Sequence, residues 1–535
     1  MAPIADSTSE QLPTIELTPL EKTLKTLLLD VAQYVQKPDL ASEHYGVKTP
    51  DTVLRFTGGW VRDKLLGVES HDIDVAINNM TGYQFGMKLK QYLDISENLE
   101  KYRKNHENGE LQHALIRLHK IDANPEKSKH LETVTTKIFG FDVDLVNLRK
   151  ESYTANSRTP QMEFGTAEED ALRRDATINA LFYNLNDSIV EDLTGRGLKD
   201  MRDGIIRTPL EPYQTFIDDP LRVLRLIRFA SRLGYRIDKG TEDAMQHLDI
   251  SSALRLKISK ERVGIEVEKM LRGPDPRGAL HIIDHLNLYP TIFANQLDDA
   301  VANTSSWSHG YNALHRLLYS KDESEGISDV RTLLVRGPLE EYYSWMIATF
   351  APWSAVASRV QEGKKAKPLP PRAAEVARDS LRADNKTVDV LGQAAKNWRS
   401  IIDVKTAVVE DRMQGTAAEV RQQVGLHIRS WQKDWRLCVL LALLHEIMQG
   451  GEFVQVVKSY NQFLSYIVEQ GLEGVCELKP IVNGGEVMKA LGVKMGPWMS
   501  KALDVVMQWQ LLNPEIQDKQ KALEYLEGKR AELGV

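Results

Sequence analysis

The sequence predicts an α+β chain of several domains, with a mixed-sheet head followed by helices. Three observations predict it. Segments with strand character alternate with helical ones between about residues 45 and 205. From about Thr215 onward, helical periodicity dominates and no convincing strand recurs. A chain of 535 residues is too long for one hydrophobic core, so three or four domains are expected.

Taken in order, residues 1–17 form a polar leader. Thr18 to Gln36 carries Leu24, Leu27, Leu28 and Val31 on one helical face. These two stretches make up an N-terminal segment of residues 1–44. A strand is expected at Thr52 to Thr57, followed at once by Gly58-Gly59 and a helix from Val61 to Leu66. A second strand is expected at Ile73 to Ile77, and a third at Phe141 to Leu148, where apolar and polar residues alternate in part. Pro and Gly interrupt the later helices at Gly273-Pro274-Asp275-Pro276 and at Lys364 to Pro371, the second reading as a linker or exposed loop. No internal repeat of fixed period is visible.

Composition excludes some classes. With 42% hydrophobic and 27% charged residues, the chain falls among ordinary globular proteins. Its two cysteines, Cys438 and Cys476, cannot build a disulfide framework or a zinc cluster, which fits a reducing compartment. No apolar run approaches the roughly 20 residues that span a bilayer, so no membrane association is expected. The first residues carry Asp and Glu but no Arg, which argues against a targeting peptide. A cytoplasmic and nuclear location is expected, with a mitochondrial form possible through an alternative start. The net charge of −7 argues mildly against a nucleic-acid binder. Distribution counts for more than the total. Arg222 to Arg236 holds five arginines and no acid, which leaves room for a local basic face.

The sharpest chemical feature is Gly58-Gly59-Trp60-Val61-Arg62-Asp63 followed by Asp72-Ile73-Asp74-Val75. Residues two apart on a strand share a face, so Asp72 and Asp74 project together. Hard carboxylate oxygens with open positions suit two Mg²⁺ ions, which can clamp the attacking and leaving oxygens of an in-line phosphoryl transfer. The glycine pair lets backbone N–H groups approach phosphates, and the helix start adds favourable partial charge. Arg62 can pair with phosphate oxygens in bidentate fashion. A lone D-x-D is usually a solvated pair, and a Gly-Gly turn is usually plain turn chemistry. Their joint occurrence is much rarer. A third acid is expected on the third strand, at Asp144 or Asp142. Asp144 is favoured because Arg149 lies five residues beyond it. The histidines of this region, His71, His106, His113, His119 and His130, lack ligand spacing.

The run GGWVRDKLLG…HDIDVA resembles the active-site signature of the polymerase β-like nucleotidyltransferases, and in detail the class II tRNA nucleotidyltransferases. That class also includes bacterial poly(A) polymerases. Further motifs follow in order. Arg173-Arg174-Asp175-Ala176-Thr177-Ile178-Asn179 resembles the element tied to ribose and phosphate recognition. Asp192-Leu193-Thr194-Gly195 through Asp200 resembles the element coupling head and neck. Asp218-Asp219-Pro220-Leu221-Arg222 to Arg225 resembles the base-recognition element. Ser259 to Val263 resembles a helix brace. Asn124 to Phe139 resembles the eukaryotic members. Two positions depart from the pattern: Asp218 stands where bacterial members usually have Glu, and Ala176 where Phe is common.

The resemblance implies a catalytic head at residues 45–205, a neck with nucleotide-base recognition at 206–273, a helical body at 274–415 and a tRNA-binding tail at 416–535. It implies template-independent addition of C, C and A to tRNA from CTP and ATP. The partners would be the tRNA acceptor arm and the two nucleotides, with no obligate protein partner evident. Asp72, Asp74 and Asp144 would be catalytic, with Asp72 and Asp74 holding metal. Gly58, Gly59, Arg62, Arg174, Asp175, Asp219, Arg222, Arg225 and Arg228 would bind nucleotide. Asp219 and Arg222 are expected three residues apart on one helix, sharing a face. Arg only donates and an ionised Asp only accepts, which matches the edges of C and A and mismatches U and G. Arg225 and Arg228 would reach the triphosphate or brace this fork. The polar segment Asn124 to Glu132 is expected to help reshape the pocket for A addition, and Lys364, Lys365 and Lys367 could touch phosphates. Trp498 and Trp509 are expected in the core. The rivals are a poly(A) polymerase of the same class, which would tend to carry a basic tail and a basic insertion absent from residues 76–140, and an enzyme adding only CC or only A. A non-catalytic tRNA binder would have lost at least one of the three acids.

Overall fold

The structure is a computed structural model, and it describes residues 13–36, 51–103, 115–120, 134–152, 161–295, 300–321, 326–359 and 369–534. Asn124 to Glu132 and the three lysines Lys364, Lys365 and Lys367 lie outside these residues, as do His106, His113 and His130. The chain divides into two compact units, the first running to Ile258 and the second from Ser259.

The first unit begins with α1 (Pro19–Gln36), whose leucine spacing buries Leu24, Leu27, Leu28 and Val31 as expected. Thr18 and Glu21 close its start reciprocally. Each backbone N–H donates to the other's side chain, at 2.8 and 3.3 Å. Next come β1 (Leu54–Thr57), α2 (Gly59–Leu65), β2 (Asp72–Ile77), α3 (Gly82–Leu93), α4 (Ser96–Arg103), β3 (Leu115–Lys120), β4 (Val134–Ile138) and β5 (Phe141–Asn147). A hairpin, β6 (Arg149–Ser152) and β7 (Gln161–Phe164), leads to α5 (Ala167–Leu172). Then follow β8 (Phe182–Asn184), β9 (Ile189–Glu191), α6 (Gly197–Asp203), β10 (Ile205–Ile206), α7 (Pro212–Asp218), α8 (Leu221–Leu233), β11 (Arg236–Ile237), α9 (Lys239–Met245) and α10 (Leu248–Lys257).

Seven strands form one sheet in the order β3-β4-β5-β2-β1-β8-β9. Only β2 and β5 run parallel, so the sheet is mixed, as the sequence predicts. Strand period sorts its faces. Ile73, Val75, Ile77, Phe141, Val143 and Leu145 are buried against the helices that carry Leu28 and Phe85. On the opposite face of β2 and β5 stand Asp72, Asp74, Asp142 and Asp144. Gly82 lets α3 press onto β5, since a Cβ there would lie 1.9 Å from the Leu145 carbonyl oxygen.

The described residues of the second unit are helical throughout, as expected. The break at Gly273 to Pro276 separates helices Lys260–Leu271 and Pro276–His285, with Asp275 capping the second at Gly278 N (2.8 Å). Helix Pro338–Ser354 is buried along most of its length despite carrying Pro352. Pro352 has no N–H, so the Ala348 carbonyl loses its helical partner. The Trp307 indole N–H donates to that carbonyl (2.9 Å), and the Tyr289 hydroxyl donates to the next one, Thr349 (3.0 Å). Trp498 and Trp509 are core residues, as expected. Among the described residues no helix is long and apolar enough to cross a membrane.

Candidate active site

The site is built from the sheet outward. Register pairs Asp74 on β2 directly with Asp144 on β5, and Asp72 with Asp142. Partners on adjacent strands lie about 4.8 Å apart, so two carboxylates crowd one another at each level. Burial, the largest cause, pushes the Asp74 carboxyl up to about 6; Arg174 opposes it, while Asp144 and Asp72 reinforce it. Asp144 also accepts from the Thr135 hydroxyl of β4 (2.5 Å). Asp142 is exposed and pairs with Lys137 (3.3 Å). Thr57, the β1 partner of Asp74, buries a hydroxyl with no hydrogen-bond partner among the described residues.

Gly58 joins β1 to α2 with φ 74° and ψ −137°, a conformation that glycine alone adopts readily. A Cβ here would lie 3.2 Å from Arg174 Nη1 and 3.3 Å from Asp74 Oδ2. Glycine is therefore required twice, for the turn and for the approach of these two side chains.

Arg62 is buried in α2. Its Nε and Nη2 donate to Asp63 (2.8 and 2.7 Å), and Nη1 donates to the Asn179 side chain (2.5 Å). Asp63 also pairs with Arg232 of α8 (3.3 Å). The described contacts of Arg62 are thus internal. Arg174 donates to Asp170 through Nε and Nη2 (3.1 and 2.8 Å) and to the Asn179 carbonyl through Nη1 (3.1 Å). Its guanidinium also lies over the Phe182 ring. Arg173 donates to the other oxygen of Asp170 and to Glu151 (3.0 Å). Asp170 is 2% exposed. Burial would raise its carboxyl, but Arg174 and Arg173 outweigh burial and hold it below the ordinary range.

Asp175 accepts from Arg225 Nε (2.6 Å) and from Asn179 (3.5 Å). Burial is again the largest cause acting on it, opposed and outweighed by Arg225 and Arg222. Arg222 pairs with Glu151 at 3.7 Å, and Arg228 lies over Phe229. One expectation needs correction: Asp219 is not on the helix with Arg222. α7 ends at Asp218, and α8 begins only at Leu221. The reason is Pro220, which disfavours helical backbone in the residue before it. Asp219 is extended, at φ −134°, and accepts from Leu221 N (3.2 Å). It stays close to Arg222, whose N–H donates to the Asp219 carbonyl (3.1 Å).

The structure thus brings Gly58, Asp74, Asp144 and Arg174 to one face and joins Asp175 to Arg225. Asp170, Glu151 and Thr135 escaped the reading from sequence. Only Asp170 left a signal there: an acid three and four residues before an arginine pair, at helical spacing. No group of three or more His, Cys, Asp or Glu that could hold a metal ion stands among the described residues. The paired acids suit a divalent cation of the kind held by one or two carboxylates plus substrate phosphates. Burial first, and then the neighbouring Asp144 and Asp72, disfavour the charged form of Asp74, and a bound divalent cation would favour it.

The family model described as the poly(A) polymerase head domain matches residues 54–207. Another, described as the "probable RNA and SrmB-binding site of polymerase A", matches 234–300. The chain is 40% identical to "Nucleotidyltransferase lcsQ" of Purpureocillium lilacinum, over 98% of this chain and 93% of the relative. It is 39% identical to "CCA tRNA nucleotidyltransferase, mitochondrial" of Saccharomyces cerevisiae, over 95% and 93%. Among solved structures, the Thermotoga maritima CCA-adding enzyme complexed with tRNA superposes with a TM-score of 0.60 at 17% identity, covering 96% of both chains. At that identity the likeness speaks to the fold alone.

Proposed function

Because this chain belongs to the CCA tRNA nucleotidyltransferase family, we propose that it adds C, C and A to the 3′ end of tRNA from CTP and ATP. The observation that carries the proposal is near full-length similarity to a CCA tRNA nucleotidyltransferase together with a carboxylate face, Asp72, Asp74 and Asp144, on adjacent strands.

Two divalent ions, on this reading Mg²⁺, would be held by Asp72, Asp74 and Asp144 with the nucleotide's phosphates. When bound they supply charge neutralisation at the attacking and leaving oxygens. The remaining roles fall to the chain. Gly58 and Gly59 leave the backbone open to a triphosphate. Arg174, held by Asp170 beside Asp74, adds positive charge where the phosphates sit. Arg62 acts from behind as a positioning residue, tying α2 to Asn179. Asp175, fixed by Arg225, faces the ribose side. Asp219 and Arg222 read the base edge, Asp219 from the turn before α8 and Arg222 from its first turn. A buried polar pair left unmatched by U or G costs on the order of 1–3 kcal/mol per group. Arg225 and Arg228 extend the basic side of the same helix.

We also infer the four-part division into head (45–205), neck (206–273), body (274–415) and tail (416–535), with the tail and body holding the tRNA acceptor arm by phosphate contacts and shape. Action in the cytoplasm and nucleus is part of the same reading. The test is incubation with tRNA lacking CCA, CTP and ATP, followed by sequencing of product 3′ ends. Products ending in CCA are expected. Long A tails would replace this reading with a poly(A) polymerase, and CC or A alone with a partial enzyme.

A further inference from the structure

Glu151 belongs to none of the motifs read from the sequence, yet it stands where three arginines meet. It lies on β6, and its side chain is 6% exposed. Oε1 accepts from Arg173 Nη1 at 3.0 Å and lies 3.3 Å from Arg149 Nε. Oε2 faces Arg222 Nη2 at 3.7 Å. The two oxygens therefore point to different elements. One meets Arg173, just past α5, and the other meets α8.

These pairs continue in both directions. Arg173 shares Asp170 with Arg174, and Arg174 bears electrostatically on Asp74. On α8, Arg225 is held by Asp175 three residues beyond Arg222. Two buried head carboxylates, Glu151 and Asp175, thus hold successive arginines on one face of α8. Arg has many rotamers when exposed, and a base-reading guanidinium is selective only if its donors point in one direction. A buried carboxylate against one edge of the fork limits that freedom.

We propose that Glu151 is a specificity-determining positioning residue, linking the Arg173–Asp170–Arg174 cluster to Arg222 so that the base-reading guanidinium keeps one orientation. The inference rests on the reading of Arg222 given above. It assigns no contact between Glu151 and the nucleotide.

The test is kcat/KM for CTP, ATP, UTP and GTP on tRNA ending before CCA, for wild type, Glu151→Gln, Glu151→Asp, Arg222→Ala and the double variant Glu151→Gln/Arg222→Ala, with Tm recorded for each. Glu151→Gln keeps the shape, but its amide can accept from only one arginine and turns N–H donors toward another. The preference for C and A over U and G should fall about tenfold, the size of one hydrogen-bonding difference. Glu151→Asp keeps the charge and the fold but is one methylene short of Arg222, so selectivity should fall there too. The double variant should lose no more selectivity than Arg222→Ala alone, because Glu151 acts through Arg222. An unchanged nucleotide ratio in both Glu151 variants, or additive losses in the double, overturns the proposal whatever happens to rate or Tm. If wild type itself fails to add C and A, the functional reading fails instead, and the two failures are distinguishable.

Discussion

Asp74 stands where burial and like charge act in the same direction. Its carboxyl is pushed up to about 6, so near neutral pH its ionised form works against the fold while serving the proposed chemistry. This separates a catalytic from a structural acid. Asp74→Asn is expected to lower nucleotide addition by roughly a thousandfold or more, since several kcal/mol of charge stabilisation depart with the ion. In EDTA at pH 7.5 the same variant should be more stable by about 1 kcal/mol, a Tm rise of a few degrees. Inactivity combined with a lowered Tm in EDTA would make Asp74 part of the scaffold. Gly58→Ala provides the complement. Its φ of 74° and its closeness to Arg174 and Asp74 should cost about 1–3 kcal/mol. The displaced pair should lower kcat as well. Activity and Tm both at wild-type level would show that the turn relaxes without disturbing the site.

Elements depend on single side chains in two places. In α5, one buried acid, Asp170, holds the two arginines just past the helix end. Removing one partner of a buried ion pair strands the other charge at about 3–5 kcal/mol. Asp170→Ala is therefore expected to lower stability by that order and to raise KM for both nucleotides, because Arg174 loses its anchor. A change under about 1 kcal/mol in urea unfolding would show that Arg174 finds another partner. In the second unit, helix Pro338–Ser354 continues through Pro352, and Trp307 satisfies the Ala348 carbonyl that the proline leaves without its helical donor. Trp307→Phe retains an aromatic ring and removes the donor. It should cost about 1–3 kcal/mol while leaving nucleotide selectivity unchanged. Equal stability of the two proteins would show that the carbonyl finds another donor.

At the scale of the molecule, the second unit carries a built-in sensitivity to acid. His445 is buried, within hydrogen-bond distance of the Ser354 hydroxyl (2.6 Å) and stacked on Trp398 at 4.0 Å. Burial, then Arg399, pushes it down from 6.5 to about 4. A histidine lowered on folding binds fewer protons folded than unfolded. Its contribution is fully present above pH 6.5 and is lost as pH falls from 6.5 toward 4. The loss amounts to roughly 3 kcal/mol at 1.36 kcal/mol per unit. Urea unfolding of the full chain between pH 7.5 and 4.5 should show this slope, and His445→Gln should flatten it. Parallel slopes in both proteins would assign the acid sensitivity to other groups.

Much of this was legible in the sequence, because the relevant signals are local. Alternation placed Asp72 and Asp74 on one face, leucine spacing marked α1, and glycine after a strand marked the turn before α2. The order of motifs pointed to the family. The choice between Asp142 and Asp144 was not local, since both have the same strand parity. Register sets Asp144 beside Asp74 and Asp142 beside Asp72, and the exposed Asp142 side chain pairs with Lys137 of β4. Glu151 and Asp170 were hidden for a related reason. A buried acid is recognised by the arginines that surround it, and those of Glu151 come from β6, the end of α5 and α8. Asp219 was misplaced because helical spacing was extended across Pro220, where backbone sterics end it. Periodicity along the chain determined which faces are apolar and which are charged. Only the tertiary structure decided which charges face each other, because Coulomb energy depends on distance in space and sequence separation does not measure it.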